Sequence, residues 1–428
     1  MFDSNGPVRP GAHGGDGAAA DPERVSLRIE AAPPPVVAPP PGHPRFPLLD
    51  SLRAIAALGV LVGHAAFLSG AAQRHWWGAA TANGNLGVAV FFVLSGFLLY
   101  RPLINAQLNG APRTRLRDYT RRRLLRIVPA YWVALTVLAI WPGLGPDFGG
   151  NWWRYYFFLQ LYNRYTILLG IPQAWTLCVE VSFYFVLPLY AVALGHLTRG
   201  CDVRRRLAME AGILLLLSTA SIALRYSWLE HQSIWSNTLP AIFDWFALGM
   251  GLALMSAAEQ GGWSAPRAIR ALTARPVVCW GAAASTFLGV CLLFPNKTGF
   301  GSTVGREMFA HHLLGGVVAL FLVLPAVFDP GDRGWPRRLL AWPVLGWLGL
   351  ISYGIYLWQA LGPALHAHGI GQRPTTLSFV ALLSAMFAVS VACATISYYA
   401  VESPILRLKD RRGRRQHIGR APGAIGHR

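Results

Sequence analysis

Ten apolar stretches follow one another through this sequence, each long enough to cross a membrane. The hydrocarbon core of a bilayer is about 30 Å thick, and a helix of about 20 apolar residues spans it. In lipid the backbone must satisfy its own hydrogen bonds, so each stretch is expected to be helical. The stretches lie near residues 48–69, 85–101, 127–144, 174–194, 208–226, 239–257, 277–294, 308–328, 343–366 and 376–400. The sequence therefore predicts an all-α, polytopic integral membrane protein.

The composition is typical of a protein embedded in a lipid bilayer rather than of a soluble protein. Of the 428 residues 54% are apolar and 13% are charged, whereas a soluble domain has about 25% charged residues. The net charge of +19 comes from basic residues that lie between the apolar stretches, so we expect no nucleic acid partner. Five cysteines occur without CxxC spacing, and we predict no metal site.

The two ends of the chain differ from the apolar region. Residues 1–46 are rich in Pro, Gly and Ala and predict a disordered tail, and residues 406–428 form a basic tail. Residues 47–405 then form one transmembrane domain. Arginines cluster in the even-numbered connections and in the basic tail, and the odd connections carry far fewer. By the positive-inside rule, both termini are expected in the cytoplasm, with the domain in the plasma membrane.

An aromatic segment at 151–163, NWWRYYFFLQLYN, is too short to cross. Aromatic side chains favour the interface between lipid and water. We therefore expect an interfacial or re-entrant piece on the outer side of the membrane.

Two ionisable residues share one face of the first apolar stretch. Arg53 and His64 are eleven positions apart, which brings them to within about 20° of each other, about 16 Å apart along a helix. Ionisable side chains are costly in hydrocarbon and usually face an interior or a wet cavity. The helix starts expected here place Glu180 at a depth similar to that of His64, where a carboxylate would orient the imidazole and stabilise its charged form.

Six motifs occur in order along the chain. They are the Arg53-to-His64 spacing preceded by Asp50, FFVLSGFLL at 91–99, RRLLRIVP at 122–129, WTLCVEVSFYFVLP at 175–188, ISYGIYLW at 351–358, and VESP at 401–404. Together they resemble the membrane-bound acyltransferase 3 family, whose members O-acylate bacterial polysaccharides, lipopolysaccharide, peptidoglycan and some antibiotics. The resemblance covers about residues 47–405.

The resemblance implies transfer of an acyl group, commonly acetyl, from acyl-coenzyme A (acyl-CoA) to a hydroxyl group, with no permanently bound cofactor. It implies His64 as the base that activates the acceptor hydroxyl or an intermediate acyl carrier, and Glu180 as its acidic partner. It implies Arg53 as the residue that holds the acyl donor or shapes the site. The coenzyme A (CoA) phosphates are expected to meet Arg122, Arg123 and Arg126, although membrane topology explains these arginines equally well. Further candidates for a substrate cavity are Asp50, Ser95, Trp175, Tyr184, Ser352, Tyr353 and Tyr356. For Ser95, Tyr353 and Tyr356, packing between helices is the favoured role.

The chain departs from the family pattern at a few positions. Thr176 and Cys178 stand where serine is frequent, and Gln359 stands where histidine is common. A glutamine cannot act as an acid or base near pH 7, which excludes a second catalytic histidine at this position.

Other interpretations remain open from the sequence. A proton-coupled transporter would use Arg53, His64, Glu180 and Asp244 as a relay. Asp244 and Arg225 could instead pair with each other for structure, and His311 and His312 are expected at the outer boundary, where exposure costs little. The acceptor, whether a carbohydrate or a macrolide-like molecule, the acyl chain length and the oligomeric state do not follow from the sequence.

Overall fold

The computed structural model describes residues 48–110, 116–145, 148–230, 234–294, 305–328, 334–373 and 375–407. The two predicted tails fall almost entirely outside these ranges. Within them the chain is helical and contains no strand. The long or membrane-forming helices are α1 Leu48–Leu68, α2 Gly87–Leu108, α3 Leu116–Ile140, α4 Trp175–Leu197, α5 Val203–Glu230, α6 Leu239–Gln260, α7 Pro276–Leu293, α8 Gly305–Val327, α9 Pro343–Leu350, α10 Ser352–Trp358 and α11 Thr376–Ser397.

Nine helical segments in the described part are long and apolar enough to cross a membrane. Helix α9 and the helical stretch that continues α10 to Ala367 form a tenth span if they are counted together. The two are bent by 58° at their junction. The prediction of an all-α protein with about ten spans is confirmed. The bend was not expected, because the apolar run 343–366 continues through it without interruption.

Helix ends differ from the apolar stretches at several places. Helix α3 begins at Leu116, eleven residues before the predicted start at 127, and includes the arginines of RRLLRIVP. Helix α5 is also longer than predicted at both ends. The reason is that a helix continues past the edge of the apolar region into its polar end turns, which hydropathy does not detect.

The aromatic segment does not cross the bundle. It forms a short helix, Phe148–Tyr156, of nine residues. The chain then continues through turns and short 3₁₀ segments to Ala174, with Gln160, Thr166 and Ile171 buried. Helix α4 therefore starts from a segment folded into the protein, a point that determines the position of Glu180.

Glycines bring three central helices into backbone contact. Gly87 of α2 packs on the carbonyl of Ala56 in α1, and Gly59 packs on Gly84 just before α2. On another face of α2, Gly96 packs on the carbonyl of Phe246 in α6. A Cβ at any of these contacts would overlap the neighbouring backbone, which is how small residues let membrane helices approach closely. Helix α2 is thus fixed between α1 and α6.

Candidate functional site

A cavity lies between α1, α2, α3, α4 and α10. It encloses about 830 Å³ of empty space, including its open mouth. Nine of the residues predicted from sequence contribute to its wall, which brings together side chains from five separate helices. The wall consists of Arg53, Val88, Phe91, Phe92, Ser95, Leu98, Leu99, Arg123, Arg126, Ile127, Thr176, Leu177, Glu180, Tyr184, Ser352, Tyr353 and Tyr356.

Glu180 occupies the wall of this cavity together with two hydroxyl groups. Ser95 Oγ, on α2, donates a hydrogen bond of 2.9 Å to Glu180 Oε1. Tyr184 OH, one turn further along α4, donates to the same oxygen at 2.8 Å. The spacing of four residues places Tyr184 and Glu180 on one helix face. The two bonds fix the carboxylate in one orientation.

Three arginines face the same cavity but differ in their partners. Arg53 forms an ion pair of 2.7 Å with Asp50, one turn earlier in α1. Arg123 lies over the ring of Tyr119, with its guanidinium carbon 5.7 Å from the ring centroid. Among the described residues, neither Arg123 nor Arg126 forms an ion pair or donates a hydrogen bond to another group. The cavity therefore carries two half-buried guanidinium groups whose donors are available to a ligand.

His64 and Glu180 do not lie at the same depth, and this prediction was wrong. Helices α1 and α2 are antiparallel, with Ala56 beside Gly87. His64 lies eight residues after Ala56 in α1, and Ser95 lies eight residues after Gly87 in α2. Because the two helices run in opposite directions, His64 and Ser95 lie on opposite sides of this contact, about 24 Å apart along the helix axis at 1.5 Å per residue. Glu180 is bonded to Ser95 and shares its level. The error arose because α4 starts from the buried segment rather than from the membrane surface.

His64 instead lies beside Gln359, beyond the Val88 end of the cavity. The imidazole and the Gln359 side chain are within interaction distance, although Gln359 Oε1 forms no hydrogen bond of normal geometry. Gln359 Nε2 donates to the carbonyl of Tyr356 at 3.1 Å, which orients the amide with its oxygen available to a donor. His64 is half-buried and is not part of the cavity wall.

A hydrogen-bonded group closes the cavity between Glu180 and His64. Thr176 Oγ1 and Tyr356 OH are 2.9 Å apart. Gln173, which precedes α4, donates its Nε2–H to the carbonyl of Tyr356 at 2.9 Å. These bonds join the start of α4 to α10, so the polar groups of the cavity continue through Tyr356 and Gln359 towards His64.

The remaining predicted site residues have different positions. Ser352 donates to the carbonyl of Gly349 at 2.7 Å across the α9–α10 bend, and Tyr353 donates to the carbonyl of Ile127 at 2.9 Å. Besides His64, three predicted residues are absent from the cavity wall: Asp50, Arg122 and Trp175. Asp50 acts through its ion pair with Arg53, and Arg122 is exposed one turn before Arg126 on α3.

A second polar cluster lies on α5, α6 and α8. His312 Nε2 is 2.8 Å from Asp244 Oδ2, and Ser221 Oγ donates to Asp244 Oδ1 at 3.3 Å. The Trp245 ring stacks on His312, with centroids 4.1 Å apart. His312 is 1% exposed, so the expectation of exposure at the outer boundary was wrong.

Arg225 does not form the predicted ion pair with Asp244. It lies close enough for electrostatic attraction but donates to the carbonyl of Ser236. Asp244 is not part of the cavity wall. The described contacts thus do not place Asp244 in one relay with Arg53 and Glu180.

The sequence analysis missed the apolar part of the cavity wall and the hydrogen bonds that join Tyr356 to Gln173 and Thr176. Val88, Phe91 and Leu177 look like ordinary membrane residues, and Gln173 lies in an irregular segment. A signal was present at Thr176 and Gln173, since both flank the start of the motif that contains Glu180. Their contacts with α10 depend on the bend, which the sequence did not reveal.

Comparison with known proteins gives a consistent family. Residues 46–395 match the family model described as an acyltransferase domain, Acyl_transf_3. The chain is 26% identical over 384 residues to the putative peptidoglycan O-acetyltransferase YrhL of Bacillus subtilis (strain 168), covering 85% of this chain and 55% of the relative. It is 23% identical over 329 residues to the peptidoglycan O-acetyltransferase OatA of Listeria monocytogenes, covering 73% and 48%.

A third relative, the putative O-acetyltransferase SACOL0978 of Staphylococcus aureus (strain COL), is 23% identical over 389 residues, covering 84% of this chain and 57% of the relative. The chain thus spans about half the length of the curated relatives it matches. No solved structure gives a significant match. The family model covers most of the apolar domain and every helix that builds the cavity, and the chain therefore belongs to the membrane acyltransferase family Acyl_transf_3.

Proposed function

We propose that this membrane acyltransferase moves an acyl group, acetyl in the simplest case, from acyl-CoA to a hydroxyl group of a carbohydrate. The cavity is the proposed donor site. The main support is the pair of guanidinium groups, Arg123 and Arg126, which have no ion-pair partner within the part of the chain that the structure describes. Phosphate groups bind guanidinium donors strongly and often bidentately. A CoA molecule carries the phosphates that such a pair would hold.

The donor enters from the side that carries the α2–α3 connection. Exposed arginines line this side, including Arg117, Arg121, Arg199 and Arg204, and the positive-inside rule makes it cytoplasmic. Both termini are then cytoplasmic and the protein lies in the plasma membrane. Acyl-CoA is a cytoplasmic metabolite, so the proposed direction of entry matches its source.

The acceptor approaches from the opposite side, where His64 lies. A hydroxyl group has a pKa far above 7 and needs a positioned base to become a nucleophile. His64 supplies that base in the proposal, with Gln359 beside its ring. Two relatives are named as peptidoglycan O-acetyltransferases, which makes a cell-wall glycan the first acceptor to test, ahead of a macrolide-like molecule.

The test uses the full chain in lipid vesicles. Release of free CoA thiol from acetyl-CoA is measured with and without peptidoglycan fragments, other glycans or a macrolide. The proposal expects acceptor-dependent thiol release and an acylated product identified by mass spectrometry. His64→Ala is expected to abolish release, whereas His196→Ala, a change of an exposed histidine at the end of α4, leaves it unchanged.

Two results would overturn the proposal. One is the absence of acceptor-dependent release from folded wild-type protein with any donor. The other is proton-coupled flux of a solute without acyl transfer, which would favour the transporter.

A further inference from the structure

Glu180 has one oxygen that the protein leaves open. Oε1 accepts from Ser95 and Tyr184, whereas Oε2 receives no hydrogen bond from any residue that the structure describes. A carboxylate has about four lone-pair sites, and leaving them unsatisfied away from bulk water is costly. Because Glu180 is part of the cavity wall, its open oxygen is available to a donor on a ligand.

The nearby arginines do not satisfy this oxygen. Arg53 and Arg123 are close enough to Glu180 for electrostatic attraction, but no described guanidinium lies within ion-pair distance of it. Glu180 is thus prepared to accept from a neutral N–H group rather than to bind a cation.

The shape of the cavity indicates which N–H group of a bound ligand would reach the open oxygen of Glu180. Its wall follows α2 from Leu99 to Val88, eleven residues or about 16 Å of helix axis. Ser95 and Glu180 lie between the two ends, Arg123 lies near Glu180 and Tyr184, and Val88, Phe91 and Tyr356 lie at the end opposite Leu99. A donor whose phosphates meet Arg123 and whose arm extends towards Val88 passes Glu180. The pantetheine arm of CoA contains two amide groups.

We propose that Glu180, held in place by Ser95 and Tyr184, accepts a hydrogen bond from an amide N–H of the pantetheine arm. Glu180 is then a donor-binding residue and not the acidic partner of His64, from which about 24 Å of helix axis separates it. This inference rests on the proposed acyl-CoA donor. It also explains why the carboxylate is held by two hydroxyl groups and has no guanidinium ion pair.

The experiment compares two ligands that share all three phosphates and differ in the arm. Binding of CoA and of adenosine 3′-phosphate 5′-diphosphate, the arm-free ligand, is measured by calorimetry with the full chain in nanodiscs. Glu180→Gln keeps the shape and loses the charge, and it is expected to weaken CoA binding roughly ten- to hundredfold. Binding of the arm-free ligand is expected to stay within about twofold, because the phosphates do not touch Glu180.

Matched variants complete the design. Ser95→Ala is expected to weaken CoA selectively, by less than Glu180→Gln does. Ser182→Ala is the control, since Ser182 lies on the same helix but bonds to Tyr162 and to the Cys178 carbonyl outside the cavity. Should Glu180→Gln fail to fold, wild-type protein is titrated with a CoA analogue methylated at both amide nitrogens. That analogue is expected to bind roughly ten- to hundredfold more weakly than CoA.

The outcomes separate the inference from the proposed function. If Glu180→Gln binds CoA as wild type does but loses kcat, the inference is wrong and Glu180 acts in catalysis. Equal weakening of both ligands also overturns it, because the effect would not come from the arm. If wild type binds neither ligand and releases no thiol from acetyl-CoA, the proposed function fails instead.

Discussion

Gly96 of α2 lies directly against the carbonyl oxygen of Phe246 in α6, with no room for a side chain. Gly249 of α6 makes the reciprocal contact with the carbonyl of Val93. This contact fixes the helix face that carries Ser95, the residue next to Gly96. The position of the cavity wall therefore depends on two small residues outside the cavity.

Gly96→Ala is expected to destabilise the protein by about 1–3 kcal/mol, since an added methyl group must push the two helices apart. The midpoint of thermal unfolding in detergent measures this loss. CoA binding is expected to weaken as well, because Ser95 moves. Gly251→Ala is the control, since nothing lies within 4 Å of the added Cβ. Equal melting midpoints for both variants would contradict the tight contact.

Arg126→Ala is expected to weaken CoA binding by about 1.5–3 kcal/mol, roughly ten- to hundredfold, because a charge-assisted bond to phosphate is lost. The variant should also show a weaker dependence of binding on salt. Arg122→Ala provides the comparison, since Arg122 is exposed on the same helix and does not contribute to the cavity wall. Similar dissociation constants for the two variants would indicate that these arginines set topology alone.

His64→Ala is expected to lower kcat by roughly 10²- to 10⁴-fold, the usual contribution of a general base. Its dissociation constant for CoA should match wild type, because His64 is not part of the cavity wall. Thiol release and calorimetry on the same preparation test both parts. A large loss of CoA affinity would show that His64 belongs to the donor site.

Asp244→Asn is expected to destabilise the fold by about 1–3 kcal/mol, since the amide offers one acceptor oxygen fewer to the buried hydrogen bonds with His312 and Ser221. The folded fraction should retain the kcat of wild type, because Asp244 lies outside the cavity. Asp202→Asn, at an exposed position before α5, is the comparison and should melt as wild type does. Loss of activity without loss of stability would return Asp244 to a catalytic or relay role.

The class of the protein and much of the cavity wall could be predicted from the order of the amino acids alone. Lipid allows a long apolar segment little other than a helix, so hydropathy indicated the spans. Ionisable residues in such segments are costly, which is why Arg53, His64 and Glu180 stood out. The ordered motifs then indicated the family, and nine of the residues selected this way surround one cavity.

Which of these residues are in contact depends on how the helices pack in three dimensions. Depth along a helix follows from where the helix starts, and α4 starts from a segment folded into the protein, so Glu180 meets Ser95 and not His64. The partner of Asp244 was likewise decided by packing, because His312 comes from a helix 68 positions further along the chain. The local sequence determines where the helices form and which of their faces are polar. The position of one helix along the axis of its neighbour depends on backbone contacts such as that of Gly87 with Ala56.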